Sequence, residues 1–178
     1  MDRFDVQEAL ESFYIVADTR EHMTALAAER YKDFGVPVKR ATLDYGDYCG
    51  GVYLPDGSAT TSKTGRIRAK CVIERKMSLD ELAACFTRGR DRFRREFERA
   101  SANDARVFLL VENASWEAIV NHRYRSKYNP TAYMASLTAW AIRYGMTPVF
   151  CRAGTSARVI KELLYRDIKE RLEKGEYG

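Results

Sequence analysis

The chain has 178 residues, of which 46% are hydrophobic and 31% are charged, and its formal net charge at pH 7 is +5. This length suits one domain with a sizeable hydrophobic core, and the composition is that of an ordinary globular protein rather than a disordered chain. The mildly basic balance makes nucleic acid a candidate partner and decides nothing by itself.

Cysteine spacing and the first residues narrow the class of protein further. The four cysteines have no CxxC or CxxH spacing, so we expect neither a structural zinc site nor a disulfide framework. The opening MDRFDVQEAL lacks the apolar run of a signal peptide, and no stretch approaches a membrane span. We expect an intracellular, soluble protein, cytoplasmic in a bacterial or phage setting and nuclear in a eukaryote.

The first half of the chain predicts a helix and several strands. Gly35 is a natural helix end, and the turn signal PDGS at 55–58 opens a polar stretch, 57–68, that is typical of a long mobile hairpin tip. The strand that follows would be the third of a meander. The predicted elements are a buried strand at 13–17, a helix at 21–34, a half-buried strand at 36–43, and strands at 48–54 and 69–76.

Helices dominate the second half. The run RVFLLV at 106–111 predicts a strand buried on both faces, and Pro130 suits the first turn of a helix. Strands that alternate with helices predict one α/β domain, residues 1–178, with helices on both sides of a central mixed sheet. The predicted helices are 79–86, 89–100, 115–120, 130–144 and 155–174, the strands are 106–111 and 147–151, and a basic loop spans 121–129.

Acidic residues near strand ends form the candidate site. Because side chains alternate along a strand, Lys76 shares the face of Glu74 while Arg75 points to the other face. Asp80, in the first turn of the next helix, can lean toward the same pocket. Carboxylates of Asp47 and Glu74 suit Mg²⁺, and Lys76 can orient or deprotonate the attacking water. Spacing alone leaves a solvated surface ion pair as an equal alternative.

Five segments carry, in order, a resemblance to a known family. They are IVADTRE at 15–21, LDYGDY at 43–48, ERKMSLD at 74–80, RGRDRF at 88–93 and VFLLVE at 107–112. The GD…ERKxxxD pattern with an upstream DxRE resembles the signature of the XPF-type structure-specific endonucleases, a branch of the PD-(D/E)XK nuclease superfamily. The match extends over about residues 13–165.

The resemblance implies a restriction-endonuclease-like three-layer sandwich that uses Mg²⁺ or Mn²⁺ to cut DNA, at branched, flapped or forked structures in repair or recombination. It implies that Asp47 and Glu74 are metal ligands and that Lys76 positions water or phosphate. Arg75 requires a strand twist or a supporting ion pair, since strand alternation turns it away from Glu74. The other residues implied to complete the catalytic site are Asp18, Arg20 and Asp80.

Two features depart from the family pattern and leave the substrate geometry open. Cellular members follow the nuclease core with tandem helix-hairpin-helix motifs, whereas we expect a standalone nuclease domain here. The connection from Gly50 to Lys70 is also longer than the usual link between the GD and ERK motifs. A non-catalytic DNA-binding or scaffold subunit is the alternative function, although such partners usually lose the acidic motif. A nuclease acting in defence or on RNA would share the chemistry.

Basic residues outside the motif are candidates for contact with DNA phosphates, with a solvated surface as the alternative. The loop at 121–129 interleaves basic and aromatic residues, which is compatible with phosphate contact and base stacking or with a plain polar loop. The hairpin offers Lys63, Arg66 and Arg68 as further candidates. The residues predicted to bind DNA are Arg88, Arg90, Arg94, Lys70, Arg123 and Arg125.

Two apolar stripes, at residues 133–144 and 159–168, mark the C-terminal helices. Core packing explains most of both stripes. Because related nuclease domains dimerise through their C-terminal helices, a homodimer through these helices is a further expectation.

Overall fold

Seven helices and six strands are assigned in the computed structural model, which describes residues 2–61 and 65–177. The helices are α1 (Arg3–Glu11), α2 (Ala25–Asp33), α3 (Leu79–Phe86), α4 (Arg90–Ala102), α5 (Trp116–Val120), α6 (Pro130–Tyr144) and α7 (Ala153–Glu173). The strands are β1 (Tyr14–Asp18), β2 (Val38–Ala41), β3 (Tyr48–Gly51), β4 (Cys71–Lys76), β5 (Arg106–Glu112) and β6 (Thr147–Cys151). Lys63, a candidate for DNA contact, lies outside the described residues.

The strands form one mixed sheet in the order β2-β1-β3-β4-β5-β6. The pairs β1–β2, β4–β5 and β5–β6 are parallel, while β3 is antiparallel to both of its neighbours. Five strands therefore run in one direction, and β3 alone among these six runs in the other.

Helices cover both faces of the sheet and bury a separate core on each. Side chains of α3, α4, α5 and α6 pack on one face around Trp140, which is stacked on Phe93 with ring centroids 5.0 Å apart. Side chains of α1 and α7 pack on the other face around Ile160 and Leu164. The predicted three-layer α/β arrangement with a central mixed sheet is confirmed.

Local signals placed several helix ends correctly. The Ser78 hydroxyl accepts a hydrogen bond from the N–H of Glu81 at the start of α3. Asn129 caps α6 just before Pro130, and Gly145 ends that helix with a φ of 60°, a conformation that glycine adopts without strain. The predicted bounds of α3, α6 and β6 are those of the structure.

The predicted meander is wrong, because β2 lies at the sheet edge beside β1 and not beside β3. The physical reason is α2, which carries the chain back along the sheet so that β2 pairs parallel with β1. Helix α1 was not predicted; it begins at a capping box in which Asp2 and Asp5 each accept a hydrogen bond from the other's backbone N–H.

The connection between β3 and β4 is not a free hairpin tip in the part that the structure describes. The Tyr14 hydroxyl is 2.7 Å from the Thr61 hydroxyl, and the buried Ile67 pairs with Leu43 in an isolated bridge. Arg66 and Arg68 both lie close to the buried carboxylate of Asp44. The described residues on both sides of 62–64 are therefore attached to the body of the protein.

The apolar stripes of α6 and α7 are used within the chain. Trp140 on α6 and Ile160 and Leu164 on α7 are all almost fully buried in the two cores. Ile142 on α6 is 86% exposed, so a dimer contact through this helix would use its outer side. Among the described helices, none is both long enough and apolar enough to cross a membrane.

Candidate active site

The predicted motif residues gather at one edge of the sheet. The carboxyl ends of the five codirectional strands lie at this edge, and so does the start of the antiparallel β3. Asp18 ends β1, Asp47 immediately precedes β3, and Glu74 and Lys76 lie at the end of β4. In open α/β sheets, ligands bind at this edge.

Glu74 and Lys76 form a buried ion pair. Their relative exposures are 4% and 9%, and the Lys76 Nζ donates a hydrogen bond to Glu74 Oε1. The second carboxylate oxygen, Glu74 Oε2, is buried and accepts no hydrogen bond from the described residues. An unsatisfied carboxylate oxygen in a protein interior is energetically costly, and a bound cation would remove that cost.

Asp47 is held beside this pair by backbone contacts on two sides. Its N–H donates to the Ile73 carbonyl of β4 at 2.8 Å, and its carbonyl accepts from the N–H of Asp18 at 2.9 Å. Its carboxylate Oδ2 accepts from the N–H of Arg75 at 2.7 Å. The preceding Gly46 has a φ of 73°, and a Cβ there would lie 2.7 Å from the Cβ of Val72. The GD pair thus requires glycine to bring Asp47 against β4.

The cluster contains two carboxylates, those of Asp47 and Glu74, and one ammonium group, that of Lys76, so negative charge is in excess when all three are ionised. Burial and the neighbouring carboxylate of Asp47 raise the pKa of Glu74, and the ammonium of Lys76 opposes that rise. Burial also raises the pKa of Asp47. Burial alone would lower the pKa of Lys76, but the two carboxylates more than offset this, and its pKa lies above the ordinary value. Lys76 is therefore a cation in this state and not a free base.

Asp18 and Arg20 form a clamp next to the cluster. Asp18 Oδ1 accepts from the backbone N–H and the Nε of Arg20, at 2.6 and 2.8 Å, and Oδ2 accepts from Arg20 Nη2 and from the N–H of Leu43, at 2.7 and 2.9 Å. The Asp18 carboxylate is only 2% exposed and is fully used in these bonds, whereas the Arg20 side chain is 51% exposed. Of the two, only the guanidinium of Arg20 is presented to solvent.

Arg75 points to the opposite face of the sheet, as strand alternation predicts. Its guanidinium lies 3.0 Å from Glu112 Oε2 and 3.7 Å from Glu21 Oε1, and Arg30 pairs with the same two carboxylates. The Tyr48 hydroxyl also donates to Glu21. The predicted supporting ion pair is present, and it belongs to a buried network that fixes β4 from behind. The Arg75 side chain is engaged on this face, while its backbone N–H donates to the Asp47 carboxylate.

Asp80 does not join the cluster either. Its Oδ1 accepts from the N–H groups of Arg125 and Ser126, at 2.8 and 2.6 Å, in the basic loop 121–129. The expectation that Asp80 leans toward the pocket of Glu74 failed because these two amides orient its carboxylate toward the loop.

A cleft of about 320 Å³ opens beside Glu74 and Lys76. Arg88, Arg92 and Glu96 line its other wall. Sequence reasoning missed Arg92 and Glu96 as site residues. The available signal was their spacing, since Arg88, Arg92 and Glu96 recur every four residues and so share one face where the chain is helical.

Glu96 also contacts the GD pair directly. Its Oε1 accepts a hydrogen bond from the N–H of Gly46 at 3.0 Å. Its negative charge acts on both Asp47 and Glu74 and contributes to the raised pKa of each. A carboxylate from α4 therefore faces the cluster, and it would add to the attraction of this site for a cation.

The predicted DNA-binding residues are spread over the surface. Arg88 lines the cleft, whereas Arg90 donates to the Phe86 carbonyl at 3.2 Å and Arg94 pairs with Asp91 and Glu98. Arg123 and Arg125 are exposed on the basic loop.

Lys70 lies far from the candidate site. It precedes β4 while Lys76 ends that strand, which separates the two by about 20 Å at the usual rise per residue. Its Nζ donates to the Asn103 carbonyl at 2.8 Å. The structure therefore does not bring Lys70 to the cluster.

The donor set fits a hard divalent cation that keeps most of its water. Mg²⁺ commonly takes one or two protein carboxylates and several water molecules, and Asp47 with the free Oε2 of Glu74 offers that number. Within residues 2–61 and 65–177, no three acidic, histidine or cysteine side chains converge closely enough to enclose an ion. The arrangement is that of an open site rather than a closed structural one.

Comparisons with known proteins bear on this geometry. A family model described as "ERCC4 domain" matches residues 17–163. The solved structure of XPF from Aeropyrum pernix is similar, with 21% identity, coverage of 92% of this chain and 69% of that chain, and a TM-score of 0.61. A structure of XPF from Aeropyrum pernix in complex with DNA matches with 23% identity, coverage of 89% and 66%, and a TM-score of 0.60. No curated protein matches.

Proposed function

Because the chain belongs to the ERCC4 domain family, we propose that it is a divalent-metal-dependent endonuclease that hydrolyses phosphodiester bonds of DNA. The observation that carries the proposal is the buried Glu74, which has one oxygen bound to Lys76 and the other unpartnered beside an open cleft. A buried carboxylate of this kind has a physical reason to exist if a cation completes its coordination.

Asp47 and Glu74 are the residues that would hold Mg²⁺ or Mn²⁺. Bound there, the ion would polarise a phosphoryl oxygen and lower the pKa of a coordinated water. Lys76, which is held as a cation by the two carboxylates, would offset phosphate charge and orient the attacking water.

Arg20 and the cleft arginines would bind the phosphates around the cut. The Arg20 guanidinium is half exposed and is fixed by Asp18, while Arg88 and Arg92 are exposed and line the cleft. Fixed guanidinium groups bind phosphate oxygens with defined geometry. Asp18 then positions the guanidinium of Arg20, and Arg75 stabilises β4 through its ion pairs on the opposite face of the sheet.

We propose DNA as the substrate, since the chain is basic overall and a structure with a similar fold, XPF from Aeropyrum pernix, has been determined in complex with DNA. A preference for branched, flapped or forked DNA, and a role in repair or recombination, follow from the family resemblance. A homodimer through the C-terminal helices is also part of the proposal.

A cleavage panel tests the function. Labelled flap, fork, junction, linear duplex and single-stranded DNA are incubated with the protein and Mg²⁺, Mn²⁺ or EDTA. We expect metal-dependent cleavage of at least one substrate, and we expect Asp47→Ala, Glu74→Gln and Lys76→Ala each to abolish it. Lys32→Ala, a change on the exposed surface of α2, is the matched control and should cleave like the wild type. Cleavage by Asp47→Ala and Lys76→Ala at the wild-type rate would refute the proposal.

The same panel addresses the alternative of a non-catalytic DNA-binding subunit. DNA binding without cleavage in any metal would favour that alternative. The filled motif positions Asp47, Glu74 and Lys76 favour the enzyme instead, because a scaffold has no use for the buried carboxylate of Glu74 placed beside that of Asp47, which makes its ionisation more costly.

A further inference from the structure

A second cleft adjoins the one at the candidate site. It has a volume of about 440 Å³ and lies between α3 and the basic loop 121–129. Arg88 and Ala84 line both clefts, so the two meet at the turn between α3 and α4. A strand of nucleic acid that leaves Glu74 and Lys76 along the first cleft would pass Arg88 and enter the second.

The far wall of the second cleft is the basic loop, and Asp80 holds it in place. The N–H groups of Arg125 and Ser126 both donate to the same carboxylate oxygen, Asp80 Oδ1, while Arg125 Nε lies 3.4 Å from Oδ2. Asp80 is anchored in the first turn of α3, directly after the strand that carries Glu74 and Lys76. The loop is thus attached to the catalytic strand through one side chain.

The surface of the loop is suited to phosphate rather than to bases. The rings of Tyr124 and Tyr128 are half buried and pack on the core residue Tyr133, with centroids 5.3 and 5.2 Å apart. The Arg125 side chain, in contrast, is 93% exposed. Exposed guanidinium groups over inward-facing rings favour contact with a sugar–phosphate backbone, and the base stacking that the sequence allowed would need these rings to turn outward.

We propose that the second cleft binds the sugar–phosphate backbone of the substrate strand beyond the cut, with Arg88 and Arg125 on successive phosphates and Asp80 as the positioning residue of the loop rather than a metal ligand. The inference rests on the proposed nuclease function for the position of the cut. The binding surface itself can be tested without cleavage, because Arg125 and Asp80 line the second cleft and not the one that holds Glu74 and Lys76.

Two variants of Asp80 distinguish a role in positioning the loop from a role as a metal ligand. Asp80→Asn keeps an oxygen that can accept both backbone N–H groups but loses the negative charge, whereas Asp80→Ala loses the acceptor as well. Arg88→Ala and Arg125→Ala test the phosphate contacts, and Arg3→Ala on α1, in the opposite helix layer, is the matched control. Binding of a fluorescein-labelled flap and duplex DNA is measured by anisotropy in Ca²⁺ over a range of salt, and Mn²⁺ binding is measured separately by electron paramagnetic resonance.

We expect Arg88→Ala and Arg125→Ala each to weaken DNA binding roughly fivefold and to reduce the slope of log affinity against log salt by about 1. Asp80→Ala should weaken DNA binding and leave Mn²⁺ binding unchanged, while Asp80→Asn should bind both like the wild type. Circular dichroism melting checks that each variant is folded.

Weaker Mn²⁺ binding by Asp80→Asn would overturn the positioning role, and so would a loss of DNA binding equal to that of Asp80→Ala. DNA binding unchanged in both arginine variants would overturn the second cleft as a binding surface. Failure of the nuclease proposal would give a different result. The wild type would bind DNA and the Arg88→Ala variant would bind it more weakly, but the wild type would cut no substrate in any metal.

Discussion

Replacement of Asp18 by asparagine is expected to destabilise the fold strongly although it changes a single atom type. The carboxylate accepts four hydrogen bonds at 2.6–2.9 Å, two on each oxygen, and is 2% exposed. Asparagine keeps one acceptor oxygen, but its NH₂ group replaces the other oxygen and cannot accept from the two donors there. If that group faces Leu43, the lost charge-assisted bond to its buried N–H costs about 1.5–3 kcal/mol, and the half-exposed Arg20 adds less than about 1 kcal/mol.

The expected loss in the free energy of unfolding is therefore about 3 kcal/mol, a large part of the roughly 5–15 kcal/mol typical of a domain. Urea denaturation at pH 7, followed by circular dichroism and by fluorescence, measures it. Thr19→Ala is the matched control, since the neighbouring Thr19 side chain makes only an exposed hydroxyl contact. A midpoint and slope equal to those of the wild type would refute this reasoning.

A lower pH should reduce the difference in unfolding free energy between the wild type and Asp18→Asn. Burial alone would raise the pKa of Asp18, but hydrogen bonds from Arg20 and Leu43 hold it below its ordinary value. A carboxylate with a depressed folded-state pKa contributes stability that is complete above its unfolded pKa, about 3.9, and is lost as the pH falls through the folded value. The difference in unfolding free energy between wild type and Asp18→Asn should thus be constant from pH 7 to 5 and shrink below about pH 4. A difference that grows in acid would contradict this assignment.

Substitutions at three other positions test separate parts of the site. Glu96→Ala removes the acceptor of the Gly46 N–H and should lower the cleavage rate. Glu96→Gln keeps an acceptor oxygen and should retain more of that rate. Equal cleavage rates in both variants and the wild type would show that this hydrogen bond does not matter for cleavage. Gly46→Ala should cost at least about 2 kcal/mol of unfolding free energy in urea melts, from left-handed strain and from the clash with β4. Arg75→Ala leaves Glu112 and Glu21 with one arginine fewer and should destabilise the fold by about 3–5 kcal/mol, whereas a loss below about 1 kcal/mol would mean that the network is not needed.

Local patterns in the sequence were enough for most elements and for the pairing of Glu74 with Lys76. Helices α3 and α6 were predicted at their observed bounds because signals such as Ser78, Pro130 and Gly145 act within one turn. The alternation along β4 correctly placed Lys76 with Glu74 and turned Arg75 away. These features depend on neighbours in the sequence, which is why they can be inferred without a structure.

Features that depend on long-range contacts were not predicted. The position of β2 follows from how α2 packs, not from any residue in β2 itself. The hydrogen bond from a loop 45 residues further on to the Asp80 carboxylate could not be inferred from the position of Asp80 after the ERK segment. Glu96 was passed over as one more charge on an arginine-rich helix, since only the folded structure brings it to Gly46, 50 residues away.

The turn at Gly57 has a practical meaning for work on this protein. Gly57 lies in the connection between β3 and β4, which leaves β3 at the end opposite Asp47. Its φ is 79°, and no atom of the described residues outside 56–58 lies within 4 Å of the position that a Cβ would take. The bridge between Tyr53 and Ala59 closes the turn at its base. An epitope or fluorophore inserted there would stay clear of the strand ends that carry Glu74 and Lys76, and exposed turns of this kind tolerate such insertions well.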